Sequence, residues 1–117
     1  MGIEFIEIGE NYLLAKMPVN NRTVQPLRML NGGASLALAE TVGSLAANMV
    51  LDRKKFVALG LDINGNHLRP AMEGEWVFAK ASPLNIGKNT QVWEIRITTQ
   101  DNLLVNISRL TMAVKPR

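Results

Sequence analysis

The sequence predicts an α+β protein, an antiparallel sheet curled around one long central helix. Three observations predict it: a single run of helix formers over residues 34–51, short strand-like segments on either side of that run, and turn residues between the segments that follow it. At 117 residues the chain has the length of one ordinary domain, enough for a single hydrophobic core. Residues 1–117 are read as one domain, without internal repeat, low-complexity stretch or linker.

The elements follow in order. Residues 3–8, rich in Ile and Glu, read as a first strand, Gly9-Glu10-Asn11 as a turn, and residues 12–17 as a second strand. Residues 18–28 are polar and punctuated by Pro18 and Pro26, which makes them a loop. Leu30-Asn31-Gly32-Gly33 ends that loop, and the helix is expected to begin at Ala34, where strong helix formers take over, and to close at residues 52–55. Residues 56–63 read as a strand, interrupted at Asn64-Gly65-Asn66 by a bulge or a close backbone approach. Residues 75–81 form the next strand, followed by a turn over residues 83–87. Residues 91–98 alternate, with Trp93, Ile95 and Ile97 on one face, and Gln100-Asp101-Asn102 turns the chain back into a last strand over residues 103–114. One helix must bury an apolar face, and an antiparallel sheet offers one face to cover it. A sheet curled around the helix does this compactly and leaves sheet edges open to pairing between subunits.

Composition excludes several classes. Apolar residues make up 47% and charged residues 20%, the balance of a soluble globular protein. No cysteine is present, which removes disulfides and thiolate metal sites and fits the cytoplasm. The start, Met1-Gly2-Ile3-Glu4, lacks the basic segment and apolar run of a signal peptide. A membrane span needs ~20 mostly apolar residues, and the run over residues 34–51 is broken by Glu40, Thr41, Ser44 and Asn48. The net charge is +3 with scattered Lys and Arg, and only six residues are aromatic. Nucleic-acid binding calls for a concentrated basic face with interleaved aromatics, so no nucleic-acid partner is expected.

The helix carries the chemistry. On a wheel of about 100° per residue, Glu40, Thr41, Ser44 and Asn48 fall in one narrow polar stripe. A solvated face normally holds several charges, whereas this stripe holds one acid. It faces water or another subunit, or it faces a ligand. The helix start bears on the choice, because two glycines let a ligand approach the first free backbone N–H groups, at the positive end of the helix dipole. Such donors can hold a carbonyl oxygen as it becomes negative during acyl transfer. Glu40 lies about 10 Å further along the axis, which leaves room for an acyl group between.

Gln25-Pro26-Leu27-Arg28-Met29-Leu30-Asn31-Gly32-Gly33-Ala34-Ser35, continued by Leu38-Ala39-Glu40-Thr41-Val42-Gly43-Ser44, resembles the hotdog-fold thioesterases of the 4-hydroxybenzoyl-CoA type with a catalytic glutamate. The likeness is strongest to the branch that contains the 1,4-dihydroxy-2-naphthoyl-CoA and enterobactin-proofreading thioesterases. It continues in Gly60-Leu61-Asp62-Ile63-Asn64-Gly65-Asn66-His67-Leu68-Arg69-Pro70, in Gln91-Val92-Trp93 and in Ser108-Arg109-Leu110-Thr111, and so covers essentially the whole chain.

The resemblance implies an acyl-CoA, and in particular aroyl-CoA, thioesterase that releases free acid and CoA. Glu40 would be the nucleophile or the general base toward water. The Gly32 N–H, with Gly33, would polarise the thioester carbonyl, and Gln25 would position the thioester or the water from a neighbouring subunit. Thr41 and Ser44 would lie beside the carboxylate, and Gly60 in the substrate site. His67, Leu68, Arg69 and Pro70, together with Asn85, Ile86, Gly87, Lys88, Asn89 and Thr90, match segments that hold CoA. The modest basic surplus suits CoA phosphates. No metal and no cofactor are implied, and the assembly would be a homo-oligomer with composite sites, a dimer of dimers.

Two positions depart from the pattern. Asn31 stands where the family has histidine, and Arg28 where it has glycine. Both lie in the approach to the site, and a lost side-chain donor there is worth ~10²–10³ in rate if it contacts the developing charge. Asn31 is therefore expected either to slow the reaction or only to shape the turn into the helix. The chain also begins near the family's first strand, without its N-terminal helical segment. Two alternatives stay open: an acyl-CoA-binding protein with weak hydrolysis, and a hotdog hydratase or dehydratase.

Overall fold

The computed structural model describes all of residues 1–117. The elements are β1 (Glu4–Ile8), β2 (Leu13–Pro18), α1 (Gly32–Met49), β3 (Phe56–His67), β4 (Trp76–Ile86), β5 (Thr90–Thr98) and β6 (Leu104–Pro116). Six antiparallel strands form one sheet in the order β1-β2-β4-β5-β6-β3, and β3 and β1 are its edges. The curled sheet around one helix is the expected architecture, the hotdog fold.

Alternation decides which face receives the helix. In β5 the buried positions are Gln91, Trp93, Ile95 and Ile97; in β2 they are Leu13, Ala15 and Met17, and in β4 Val77, Ala79 and Ala81. This period of two puts one apolar face on the concave side of the sheet. α1 presents Leu38, Ala39, Val42, Ala46 and Ala47 to it, and these residues join the strand side chains in a single core cluster. At Gly43 the approach is tight. A Cβ there would meet Leu110 Cδ2 at 2.7 Å and Ile95 Cδ1 at 3.0 Å.

Two expected interruptions turn out differently. β3 runs unbroken through Asn64-Gly65-Asn66, and its extra residue is Leu61, since Gly60 pairs with Met112 and Asp62 with Thr111. The close backbone approach is at Gly65, where a Cβ would fall 2.4 Å from Ser108 Oγ. The turn expected over residues 83–87 is strand as far as Ile86, with a register shift between Pro83 and Asn85. Pairing of β4 with β2 ends at Ala81. Beyond it β4 has β5 as its one neighbour, an edge setting in which proline is tolerated. The helix begins at Gly32 rather than Ala34, for a reason found in its cap.

Asn48, expected in the polar stripe, instead ties α1 to β3. Its Nδ2 donates to Ala58 O (3.2 Å) and Ser44 O (2.9 Å), and its Oδ1 accepts from Ala58 N–H (2.8 Å). Ala58 is buried, so truncation leaves its two backbone groups without partners. Asn48→Ala is expected to cost about 1–3 kcal/mol in denaturant unfolding. A change within experimental error would show that water replaces the side chain.

Candidate active site

The approach loop folds back on itself before the helix. Gln25 N–H donates to Met29 O at 2.8 Å and Arg28 N–H to Gln25 O at 2.9 Å, which closes a tight turn. Arg28 sits in that turn at φ 66°, a conformation that costs an L side chain roughly 1–2 kcal/mol and that glycine adopts freely. Its guanidinium turns outward to Glu73, with Nε 3.0 Å from Oε1 and a second contact from NH2 to Oε2. The bulky side chain thus leaves the cavity open, although the position lies in the approach to the site.

Asn31 caps the helix. Its backbone is extended (φ −67°, ψ 135°) and its Oδ1 accepts from Gly33 N–H at 2.7 Å. The cap recruits Gly32 and Gly33 into α1, which is why the helix starts two residues early. It also occupies the Gly33 N–H, one of the two donors expected for the carbonyl. The Gly32 N–H makes no hydrogen bond within the chain.

A cavity of about 370 Å³ opens beside that donor, lined by Gln25, Met29, Leu30, Gly32, Ser35, residues 67–71 and Val105. His67 lies at the end of β3 and stands against the helix start, its Nε2 only 3.0 Å from where a Cβ on Gly32 would be. Leu68, Arg69 and Pro70 follow as a wall, held by Leu68 N–H to Val105 O (2.8 Å) and Arg69 N–H to the same oxygen (3.3 Å). Behind the imidazole lie Asn106, with Nδ2 3.0 Å from His67 Nδ1, and Ser108, whose Oγ donates to Asn106 Oδ1 at 2.6 Å.

The fold therefore brings together Gln25, Gly32, His67, Leu68, Arg69 and Pro70 within one chain. Glu40 is elsewhere: exposed, beyond the rim of that cavity, with its carboxylate against Gly60, where a Cβ would come 3.5 Å from Oε2. Thr41 Oγ1 donates to Ala37 O at 2.7 Å, and Ser44 is half-buried. Asn85, Ile86, Gly87, Lys88, Asn89 and Thr90 form a third group at the β4–β5 turn, braced by Gly87 N–H to Thr90 O and Val114 N–H to Asn89 O, both 2.8 Å. The row Ile86–Gln91–Met112–Gly60 crosses the sheet, and three spacings of ~4.8 Å separate this turn from the carboxylate within one chain.

Sequence reasoning missed Asn106 as part of the site. The signal was present: on β6 it shares the phase of Ser108, Leu110, Met112 and Val114, all buried. Two polar residues in an apolar stripe are buried polar groups that require partners.

A sheet wrapped around one helix, with a free backbone donor at the helix start, a largely apolar cavity carrying a few polar groups beside it and a lone carboxylate two turns on, defines the hotdog-fold thioester hydrolases. Residues 27–106 match the thioesterase superfamily, and the chain belongs to that family. It is 44% identical over 114 residues to 1,4-dihydroxy-2-naphthoyl-CoA hydrolase of Escherichia coli, covering 97% of this chain and 82% of that protein. It is 40% identical to a proofreading thioesterase of Cronobacter turicensis, with the same coverage of each chain. Among solved structures, a Haemophilus influenzae thioesterase superposes with a TM-score of 0.93 at 50% identity, over 97% of this chain and 78% of that one. No helix of the chain is long and apolar enough to cross a membrane.

The cap makes a prediction of its own. Asn31→Ala is expected to lower stability by about 1 kcal/mol, and Asn31→Asp to retain most of it, because aspartate caps equally well. Thermal unfolding of both variants checks this. Equal losses would mean that the side-chain bond to Gly33 contributes nothing.

Proposed function

We propose that the chain hydrolyses acyl-CoA thioesters, with aroyl groups preferred, and that Glu40 is the catalytic carboxylate. The observation that carries this reading is the convergence of Gln25, the unpaired Gly32 N–H, His67 and Arg69 on one cavity at the start of the helix that bears Glu40. Water oxygen adds to the thioester carbonyl carbon, the carbonyl oxygen gains negative charge at the Gly32 N–H, and the C–S bond breaks to release CoA thiol and acid. Glu40 either takes the proton of that water and passes it to the departing thiolate, or attacks the carbon first and expels the thiolate, leaving an anhydride that the water then cleaves to acid and free Glu40. No cofactor enters this scheme. The aroyl preference is supported by the naphthoyl-CoA relative, and Arg69 and Lys88 are cations suited to the CoA phosphates.

The exposed position of Glu40 supports a composite site. β3 pairs with β6 alone, so its other edge is free, and Leu59 and Leu61 on it are 53% and 62% exposed. Two copies joined antiparallel along β3, with the two-fold axis near Asp62, carry each Gly60 and its Glu40 toward the other copy's cavity. A pair of such dimers then brings the β4–β5 turns within reach of bound CoA.

Thiol release from aroyl, short-chain and long-chain CoA esters tests the reading. Glu40→Gln is expected to lower turnover at least ~10²-fold while CoA-ester binding persists; near-normal turnover refutes the role of Glu40. Hydration of an enoyl-CoA without thiol release would point instead to a hydratase.

Mixing inactive Glu40→Gln with inactive Gln25→Ala subunits is expected to restore part of the activity, since one site of a mixed dimer regains both groups. With subunit exchange verified, an inactive mixture would place each site within one chain.

A further inference from the structure

We propose that His67 is a second, neutral donor to the thioester carbonyl, and that buried Asn106 and Ser108 hold its ring in the one tautomer able to do this. The proposal rests on the thioesterase reading above and adds a residue role to it.

The hydrogen bonds specify the tautomer. Ser108 Oγ donates to Asn106 Oδ1 at 2.6 Å, which turns the Asn106 amide nitrogen toward His67 Nδ1 at 3.0 Å. An amide nitrogen donates and cannot accept. Nδ1 is therefore the acceptor, and in the neutral ring the proton sits on Nε2. Asn106 is 0% and Ser108 2% exposed. The Ser108–Asn106 bond is thus shielded from water, while the His67 ring beyond it is exposed, and a reversed Asn106 amide must find new partners in a low-dielectric setting.

Nε2 faces the helix start. It lies 3.0 Å from a Cβ built on Gly32, and both residues line the same cavity. The Gly32 N–H and the His67 Nε2–H thus point into one space from two sides, as a carbonyl oxygen gaining charge requires. Asn31 spends its Oδ1 on the Gly33 N–H, which ties its side chain to the helix cap. The geometry puts the imidazole at the end of β3 nearest the Gly32 N–H. Arg69, two residues on, remains to meet phosphate.

The chain has a single histidine, so imidazole ¹⁵N NMR reports on this ring alone. The expected spectrum is that of a neutral ring protonated at Nε2. A ring protonated at Nδ1 would overturn the relay. Asn106→Leu removes the donor to Nδ1, and is expected to mix the tautomers and lower kcat about tenfold, with little change in KM. For the donor itself, His67→Ala is expected to lower kcat about 10²-fold and to leave CoA affinity nearly unchanged. His67→Gln, which keeps an N–H at the end of the side chain, should recover part of that loss. A raised KM with intact kcat in His67→Ala would show that the ring only holds CoA, and would end the proposal. Circular dichroism of each variant separates these effects from misfolding. If the parent protein releases no thiol from any ester, the thioesterase reading fails and the carbonyl role with it; the NMR result still decides the relay separately.

Discussion

The seating of α1 in the hollow of the sheet is the contact on which the rest of the structure depends. The helix has no other layer to bury against, and it approaches β5 and β6 closely because Gly43, Ala39, Ala46 and Ala47 leave no bulk between them. A dry, dense contact of this kind fixes rotation as well as depth, since interiors pack like crystals and small displacements are costly. With the small-residue face turned to the sheet, Glu40 and Thr41 must face outward. The exposure of the carboxylate is thus a consequence of core packing, and the edge strand beside it supplies the surface that a second copy can cover.

The second constraint is one extra residue in β3. Side chains alternate along a strand, and an inserted residue reverses which set faces inward. Before Leu61 the inward position is Ala58; after it, Ile63 packs on the core and Gly65 abuts Ser108. The spacing between Ala58 and Ile63 is odd, as the shift demands. His67 inherits the later phase and meets Asn106 and Gly32 on the concave side. Without the bulge its ring would face away from the helix. The same irregularity lies beside Gly60, where the missing side chain leaves room for the Glu40 carboxylate.

The two departures from the family pattern have local explanations. Arg28 occupies a left-handed position natural to glycine and offsets part of that strain with an exposed ion pair to Glu73, an interaction worth at most about 1 kcal/mol. Asn31 gives up the side-chain chemistry of histidine and takes on a capping bond. Neither change touches the free N–H of Gly32. The consequence for the site is a redistribution of donors, with one glycine N–H occupied and the imidazole at the end of β3 standing nearest the other.

By itself the sequence determined the element order, the single helix, the alternation of Trp93, Ile95 and Ile97, and the pairing of a glycine-led helix start with a lone acid two turns on. These features are local: period, turn chemistry and helix propensity act over a few residues and need no knowledge of neighbours. It also carried the family likeness, and with it the residues that line the cavity. Only the tertiary structure decided that Asn48 would bind Ala58 instead of joining a polar stripe, and that the bulge would fall at Leu61. Those outcomes depend on what lies across a gap of one strand or one helix face, and no local signal encodes that. The link from Ser108 through Asn106 to His67 spans 39 residues between Asn106 and the ring. It exists because β3 and β6 are paired in one register, and burial of Asn106 and Ser108 leaves their polar atoms few other partners.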